Sequence, residues 1–204
     1  DSLTGSLVFS GLDGALWRTG ADGLALPLRN AGSRVNRIFT LSDQRMMYVG
    51  YANGDVIAIN TTSWQQDRFL HASGAALEIV ATNDGQTIAV ATNDGTIHVG
   101  TGRDIAANPR GVIWQSLASR ARHLALTPDG LLLAACSDGT LWLYSPVQRS
   151  WLCLPTGIAD LGQVVVAANG KVAVSLDSEG RLIWIELDTA RRLLDHTNQS
   201  HKQS

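Results

Sequence analysis

The side chains able to carry out chemistry are few and dispersed. Histidines stand at positions 71, 98, 123, 196 and 201. A zinc site draws its ligands to one point, and the one close pair, His196 and His201, has no cysteine nearby to complete a set. Ser10 and Ser137 carry hydroxyls that a histidine and a carboxylate could activate, yet neither sits in the strand-to-helix elbow that exposes such a nucleophile. No glycine-rich phosphate loop runs from a strand into a helix, and Gly11-Leu-Asp-Gly14 reads as a turn. Lacking any constellation of nucleophile, base and stabilising group, the chain is expected to hold no catalytic residue, no cofactor and no metal ion.

What does recur is a carboxylate or amide beside glycine. Asp13-Gly14, Asn53-Gly54, Asp94-Gly95, Asp138-Gly139 and Glu179-Gly180 have glycines 40, 41, 44 and 41 residues apart, the period of a repeat architecture. Such pairs take the positive φ of a tight hairpin, so each is read as the link between two antiparallel strands. A second turn signal precedes each of the last four by nine or ten residues: Asp43-Gln44, Asp84-Gly85, Asp129-Gly130 and Asn169-Gly170. Between the two turns lies a short strand that is apolar on both sides, such as Leu131-Leu-Leu-Ala-Ala-Cys136, as expected of a strand sandwiched between neighbouring sheets.

One strand before and one after this pair give four per unit, A to D. The units are expected at 1–30, 31–71, 72–118, 119–157 and 158–194, with a polar tail at 195–204. The first is incomplete, with no convincing strand A. Strand D of the fifth is expected at 190–194.

Four-stranded units of about forty residues, packed face to face around an axis, make a β-propeller. The run Leu124-Ala-Leu-Thr-Pro-Asp-Gly-Leu-Leu-Leu-Ala-Ala-Cys-Ser-Asp-Gly-Thr-Leu-Trp-Leu-Tyr-Ser145 resembles the passage from strand A to strand C in the WD-repeat family, and the third unit follows it with Asn83-Asp-Gly85 and Asn93-Asp-Gly-Thr96. The family's Trp-Asp dipeptide is replaced by Ile59-Asn60, Val99-Gly100 or Gly100-Thr101, Tyr144-Ser145 and Ile185-Glu186. No Gly-His pair opens a unit. This departure bears on the family's hydrogen-bond relay rather than on the sheet geometry. A quinone-enzyme type of propeller repeat competes through Gly54-Asp-Val-Ile-Ala-Ile-Asn60 and Gly180-Arg-Leu-Ile-Trp-Ile-Glu186.

The resemblance implies an all-β fold, a β-propeller with about five four-stranded antiparallel blades in this chain, forming part of a larger ring. WD-repeat rings most often hold about seven blades. Another segment or chain is therefore expected to complete it. The chain does not begin with Met, which agrees with a piece of a larger protein.

Sixteen basic against eighteen acidic residues give a net charge of −2, which excludes a basic footprint for nucleic acid spread over the surface. No run of eighteen apolar residues and no signal pattern occur, so neither a membrane nor secretion is expected and a cytoplasmic location is predicted. An Arg- and Ala-rich composition with only Lys171 and Lys202 as lysines hints at a bacterial source. Cys136 and Cys153 fall on strands B and D of one unit, about 9.5 Å apart at two inter-strand spacings. A disulfide needs Cα atoms within about 7 Å, so both thiols are expected to be free.

In the family, the D-to-A and B-to-C connections share one face. Here that face would gather Arg34, Asn36, Arg37, Arg120, Arg122 and His123, with Arg29 and His71, beside acidic turns including Asp94 and Asp138. These are the expected contacts for a protein or peptide partner. The predicted role is a recognition or scaffold module, the sensor portion of a larger signalling or defence protein. The alternative is the C-terminal portion of a propeller enzyme whose active site lies in the central channel.

Overall fold

The repeated turns fold as their composition dictates. The computed structural model describes residues 7–20, 22–41, 45–100, 113–117 and 119–201. Gly14, Gly54, Gly95, Gly139 and Gly180 all have φ between 82° and 87°, a conformation that side chains bearing a Cβ resist. Each joins two antiparallel strands.

Five antiparallel sheets follow one another along the chain. The first is β1 (Val8–Ser10), β2 (Ala15–Thr19) and β3 (Ala25–Asn30). The second is β4 (Val35–Thr40), β5 (Met46–Tyr51), β6 (Asp55–Asn60) and β7 (Gln66–His71). The third is β8 (Ala76–Ala81), β9 (Ile88–Thr92), β10 (Thr96–Gly100) and β11 (Ile113–Ser116). The fourth is β12 (Ala121–Leu126), β13 (Leu132–Cys136), β14 (Thr140–Ser145) and β15 (Ser150–Pro155). The fifth is β16 (Leu161–Val166), β17 (Val172–Asp177) and β18 (Leu182–Glu186). Within every sheet the spatial order is the chain order. The A strands β4, β8, β12 and β16 lie against one another in succession, so they form the inner edge of the stack. The expected turn at Asp43-Gln44 and any strand before β1 fall outside the described residues.

Four apolar clusters fill the four seams between the five sheets. Leu16 meets Met47, Val49, Ile57 and Ile59; Tyr48, Val56 and Phe69 meet Ile79, Ile88 and Val90; Ala89, Ile97 and Val99 meet Leu124, Leu132 and Tyr144; Leu133, Leu141 and Leu143 meet Leu161, Val164 and Ala173. Every residue of β9 and of β13 is buried, because a B strand has a neighbouring sheet on both faces. Burying one Leu, Ile, Val or Phe contributes about 1.5–3 kcal/mol. Each seam buries several, so the unit of stability is the seam rather than the sheet.

The fifth unit departs from the repeat. Residues 190–194, expected as strand D, belong instead to a helix, α1 (Leu187–His201), which also takes in most of the expected tail. Leu187, Ala190 and Leu194 form a buried stripe at helical spacing and join the last seam. Asp188 sits in the first turn, where the helix dipole favours an anion. Periodicity of 3.6 thus overrode the position in the repeat.

The missing strand leaves a trace at the turn. A Cβ on Gly139 would lie 1.7 Å from the Ile158 carbonyl, and on Gly14 and Gly54 it would lie 2.0 and 2.2 Å from those of Ser33 and Ala72. The loop leaving strand D therefore arches over the B-to-C turn. Above Gly180 nothing lies within 4 Å.

Candidate functional site

The inner strands share a distortion that simple alternation does not predict. Each A strand is irregular near its start, between Val35 and Arg37, Ala76 and Glu78, Ala121 and His123, and Leu161 and Val164. A bulge bends a strand and re-aims its side chains. In the first three it brings Arg37, Glu78 and His123 to equivalent positions on adjacent blades.

These residues touch. Arg37 Nη2 donates to Glu78 Oε1 at 2.6 Å across the seam between sheets two and three. Glu78 is nearly enclosed, its side chain 9% exposed, whereas that of Arg37 is 45% exposed. Burial raises the Glu78 pKa above the ordinary value, against the opposing pull of the Arg37 charge. Asn36 Nδ2 donates to the Ala76 carbonyl at 3.1 Å, and Arg34 Nε donates to Asn36 Oδ1 at 3.3 Å. Arg122 pairs with Asp160 at 3.0 Å. His123 has its pKa lowered by burial and by the charges of Arg37 and Arg122, so its imidazole is neutral at pH 7.

Arg34, Asn36, Arg37, Arg122 and His123 therefore make one polar array. Arg120 is exposed at its edge. Neither Arg34 nor Arg120 forms an ion pair among the described residues, and Arg34 is engaged only through Nε with Asn36. The acidic turns are occupied. Asp94 accepts from Ser73 Oγ (2.6 Å), Thr92 Oγ1 (2.5 Å) and Thr96 N (3.1 Å), and these bonds, that of Ser73 foremost, hold its carboxyl far below the usual range. Asp138 Oδ1 accepts from Thr140 N and Oγ1 at 3.0 and 2.6 Å. Both serve their own hairpins first. His71 likewise lies 2.9 Å from buried Asp55, which Arg68 approaches at 3.3 Å.

Sequence reasoning overlooked Glu78, whose signal was a lone carboxylate inside the apolar run Ala-Leu-Glu-Ile-Val. It also overlooked a serine in the loop before strand A. Ser33 Oγ accepts from Asn53 N, Ser119 Oγ from Asp138 N, and Ser73 Oγ donates to Asp94, so one hydroxyl ties each of three B-to-C turns to the loop beside it.

At the opposite end of the inner strands a cavity of about 220 Å³ is lined by Thr82, Asn83, Thr127, Pro128, Val166 and their neighbours. Among the described residues no ionisable side chain lines it. Among the described residues no group of three His, Cys, Asp or Glu is placed to hold a metal ion, and no helix is long and apolar enough to cross a membrane. Cys136 and Cys153 are both free, as the strand spacing required.

Fold and inner-strand array together define an all-β propeller, in agreement with a WD-repeat-like arrangement. A chain in the crystal structure of a mitotic checkpoint complex is similar to it over 91% of this chain, with a TM-score of 0.73 and 14% sequence identity. This chain spans 58% of that one. No family model matches the sequence, and no curated protein matches it. In all, 1540 solved chains share the fold, so it does not by itself choose a function.

Proposed function

We propose that this chain is a non-catalytic protein-recognition module that binds a polypeptide at the inner-strand array, and that it is the interaction portion of a larger bacterial, cytoplasmic signalling or defence protein. The observation that carries this reading is the array itself. Arg34, Asn36, Arg37, Arg122 and His123 converge from two non-adjacent sheets, and Arg34 and Arg120 add unpaired cationic heads suited to carboxylates and backbone carbonyls.

Completion of the ring by another segment or chain belongs to the same proposal. Its support is the apolar surface left on the outward faces of the first and last sheets, with Phe9 44% and Val165 54% exposed where inner seams bury such residues. The complex-forming context of the similar structure supports protein partners in general.

The test is an affinity capture that compares wild type with Arg34→Ala/Arg37→Ala/Arg120→Ala/Arg122→Ala. Arg34→Ala/Arg120→Ala, which breaks no ion pair, controls for stability. Partners lost from both variants support the surface. Undiminished capture of every partner by both removes it.

A further inference from the structure

The inner-strand array carries anions of its own. Val35, Ala76, Ala121 and Leu161 stand opposite Tyr51, Thr92, Cys136 and Asp177, whose carbonyls accept from the turn glycines, so these four residues occupy one place in the repeat. One residue before that place, sheets two to five carry Arg34, Ala75, Arg120 and Asp160; two residues after it they carry Arg37, Glu78, His123 and Gln163. Arg122 lies one residue after it in sheet four. Four guanidinium groups thus meet two carboxylates, a local excess of cation in a chain whose net charge is −2.

Each carboxylate is engaged by an arginine of the preceding sheet. Glu78 holds Arg37 at 2.6 Å and Asp160 holds Arg122 at 3.0 Å. Asp160 has a φ of 62°, a left-handed conformation that strains a residue bearing a Cβ, so the chain keeps an acid here against its backbone preference. The two pairs differ in burial. The Asp160 side chain is 31% exposed and water screens its pair, whereas Glu78 is almost enclosed. Glu78 is therefore the stronger internal competitor for a cation of the array.

β4, β5, β9 and β12 pack against β8, which carries Glu78. The ionisable groups they present are Arg37 on β4, with Arg34 just before it; Arg122 and His123 on β12, with Arg120 just before it; and the Tyr48 and Tyr51 phenols on β5. β9 brings none. Of these, Arg37 acts on Glu78 by charge and by hydrogen bond, against the burial that raises its pKa.

We propose that the polypeptide segment bound at the array is acidic, and that Glu78 is an internal stand-in for one of its carboxylates, occupying Arg37 in the free protein and yielding it to the ligand on taking up a proton from solvent. This rests on the recognition reading and adds to it the chemistry of the partner and the control of the site. An anion that claims Arg37 lifts the proton affinity of Glu78, so binding takes up a proton and tightens as pH falls. Glutamates of the ligand, ordinarily near a pKa of about 4.3, stay ionised over the range that matters. Protonation of His123, neutral at pH 7, would act in the same direction, and its contribution is separated by substitution.

The test is fluorescence anisotropy with labelled hexaglutamate at pH 7.5 and 5.5 and one ionic strength, with hexaglutamine as the control peptide. Wild type should bind hexaglutamate alone, at least threefold more tightly at the lower pH. Glu78→Gln keeps an acceptor for Arg37 but removes the charge; at pH 7.5 it should bind at least threefold more tightly than wild type, and Glu78→Gln/His123→Gln should lose the pH dependence. Asp67→Asn makes the same charge change on the exposed face of β7 and should leave the affinity unchanged. Arg34→Ala/Arg120→Ala should weaken binding at least tenfold, with circular dichroism confirming the fold of every variant. Equal affinity of wild type and folded Glu78→Gln, or an equal gain from Asp67→Asn, overturns the role of Glu78. Hexaglutamate that binds neither wild type nor Glu78→Gln overturns the acidic partner, and the recognition reading then stands or falls separately by the affinity capture with Arg34→Ala/Arg120→Ala.

Discussion

Arg37→Ala removes the cation from a carboxylate that cannot reach water freely. Breaking a fully buried ion pair costs about 3–5 kcal/mol, and breaking an exposed one about 0–1 kcal/mol. With Glu78 9% and Arg37 45% exposed, the pair lies between these limits. A loss of about 1–3 kcal/mol in urea denaturation at pH 7.5 follows. The pH dependence is diagnostic. Burial raises the Glu78 pKa in the folded state and Arg37 restrains the rise, so removing Arg37 lifts it further. A carboxyl with a raised folded pKa favours folding below its ordinary value and loses that contribution as pH rises through the folded value. The deficit of the variant should therefore be full at pH 7.5 and shrink near pH 4, where Glu78 carries its proton and needs no cation. Arg37→Ala/Glu78→Gln should recover most of the loss at pH 7.5. An equal deficit at both pH values, or no recovery in the double variant, would refute the reasoning.

Gly139→Ala and Gly180→Ala share a backbone φ of 82°, but only the former drives a Cβ into a carbonyl, at 1.7 Å. The first should lose about 3 kcal/mol or more of unfolding free energy and the second about 1–2 kcal/mol, the ordinary cost of a left-handed residue; equal losses would contradict the account of the missing strand. Burial pushes the Cys136 thiol up to about 12, whereas Cys153 is exposed. A chromogenic disulfide at pH 8 should therefore titrate one thiol in the native protein and two in guanidinium, and rapid reaction of both in the native state would show that the third and fourth sheets do not pack as described.

The repeat was legible because its punctuation is chemical. Asp-Gly at a fixed period has few other uses, and apolar runs such as that of β13 can only be sandwiched. The fifth unit was misread since Ala190–Leu194 suits a strand by position, while Leu187, Ala190 and Leu194 declare a helix only when the window begins three residues earlier. The arginines of the inner array were marked in the sequence by loop position alone. Their partners were not: Glu78 reaches Arg37 from 41 residues away, and bulges that re-aim a side chain leave no mark in a two-residue alternation. Asp94 and Asp138 looked available because a sequence does not show that a neighbouring Ser or Thr already holds them.

Recognition at the end of the stack that bears the loops before strand A is tested most directly by photo-cross-linking in the native host. A benzophenone side chain placed at Arg120 should yield a polypeptide adduct that Arg34→Ala diminishes. The same group at Gln86, exposed in an A-to-B turn at the opposite end, should yield none. Adducts from Gln86 alone would contradict the account.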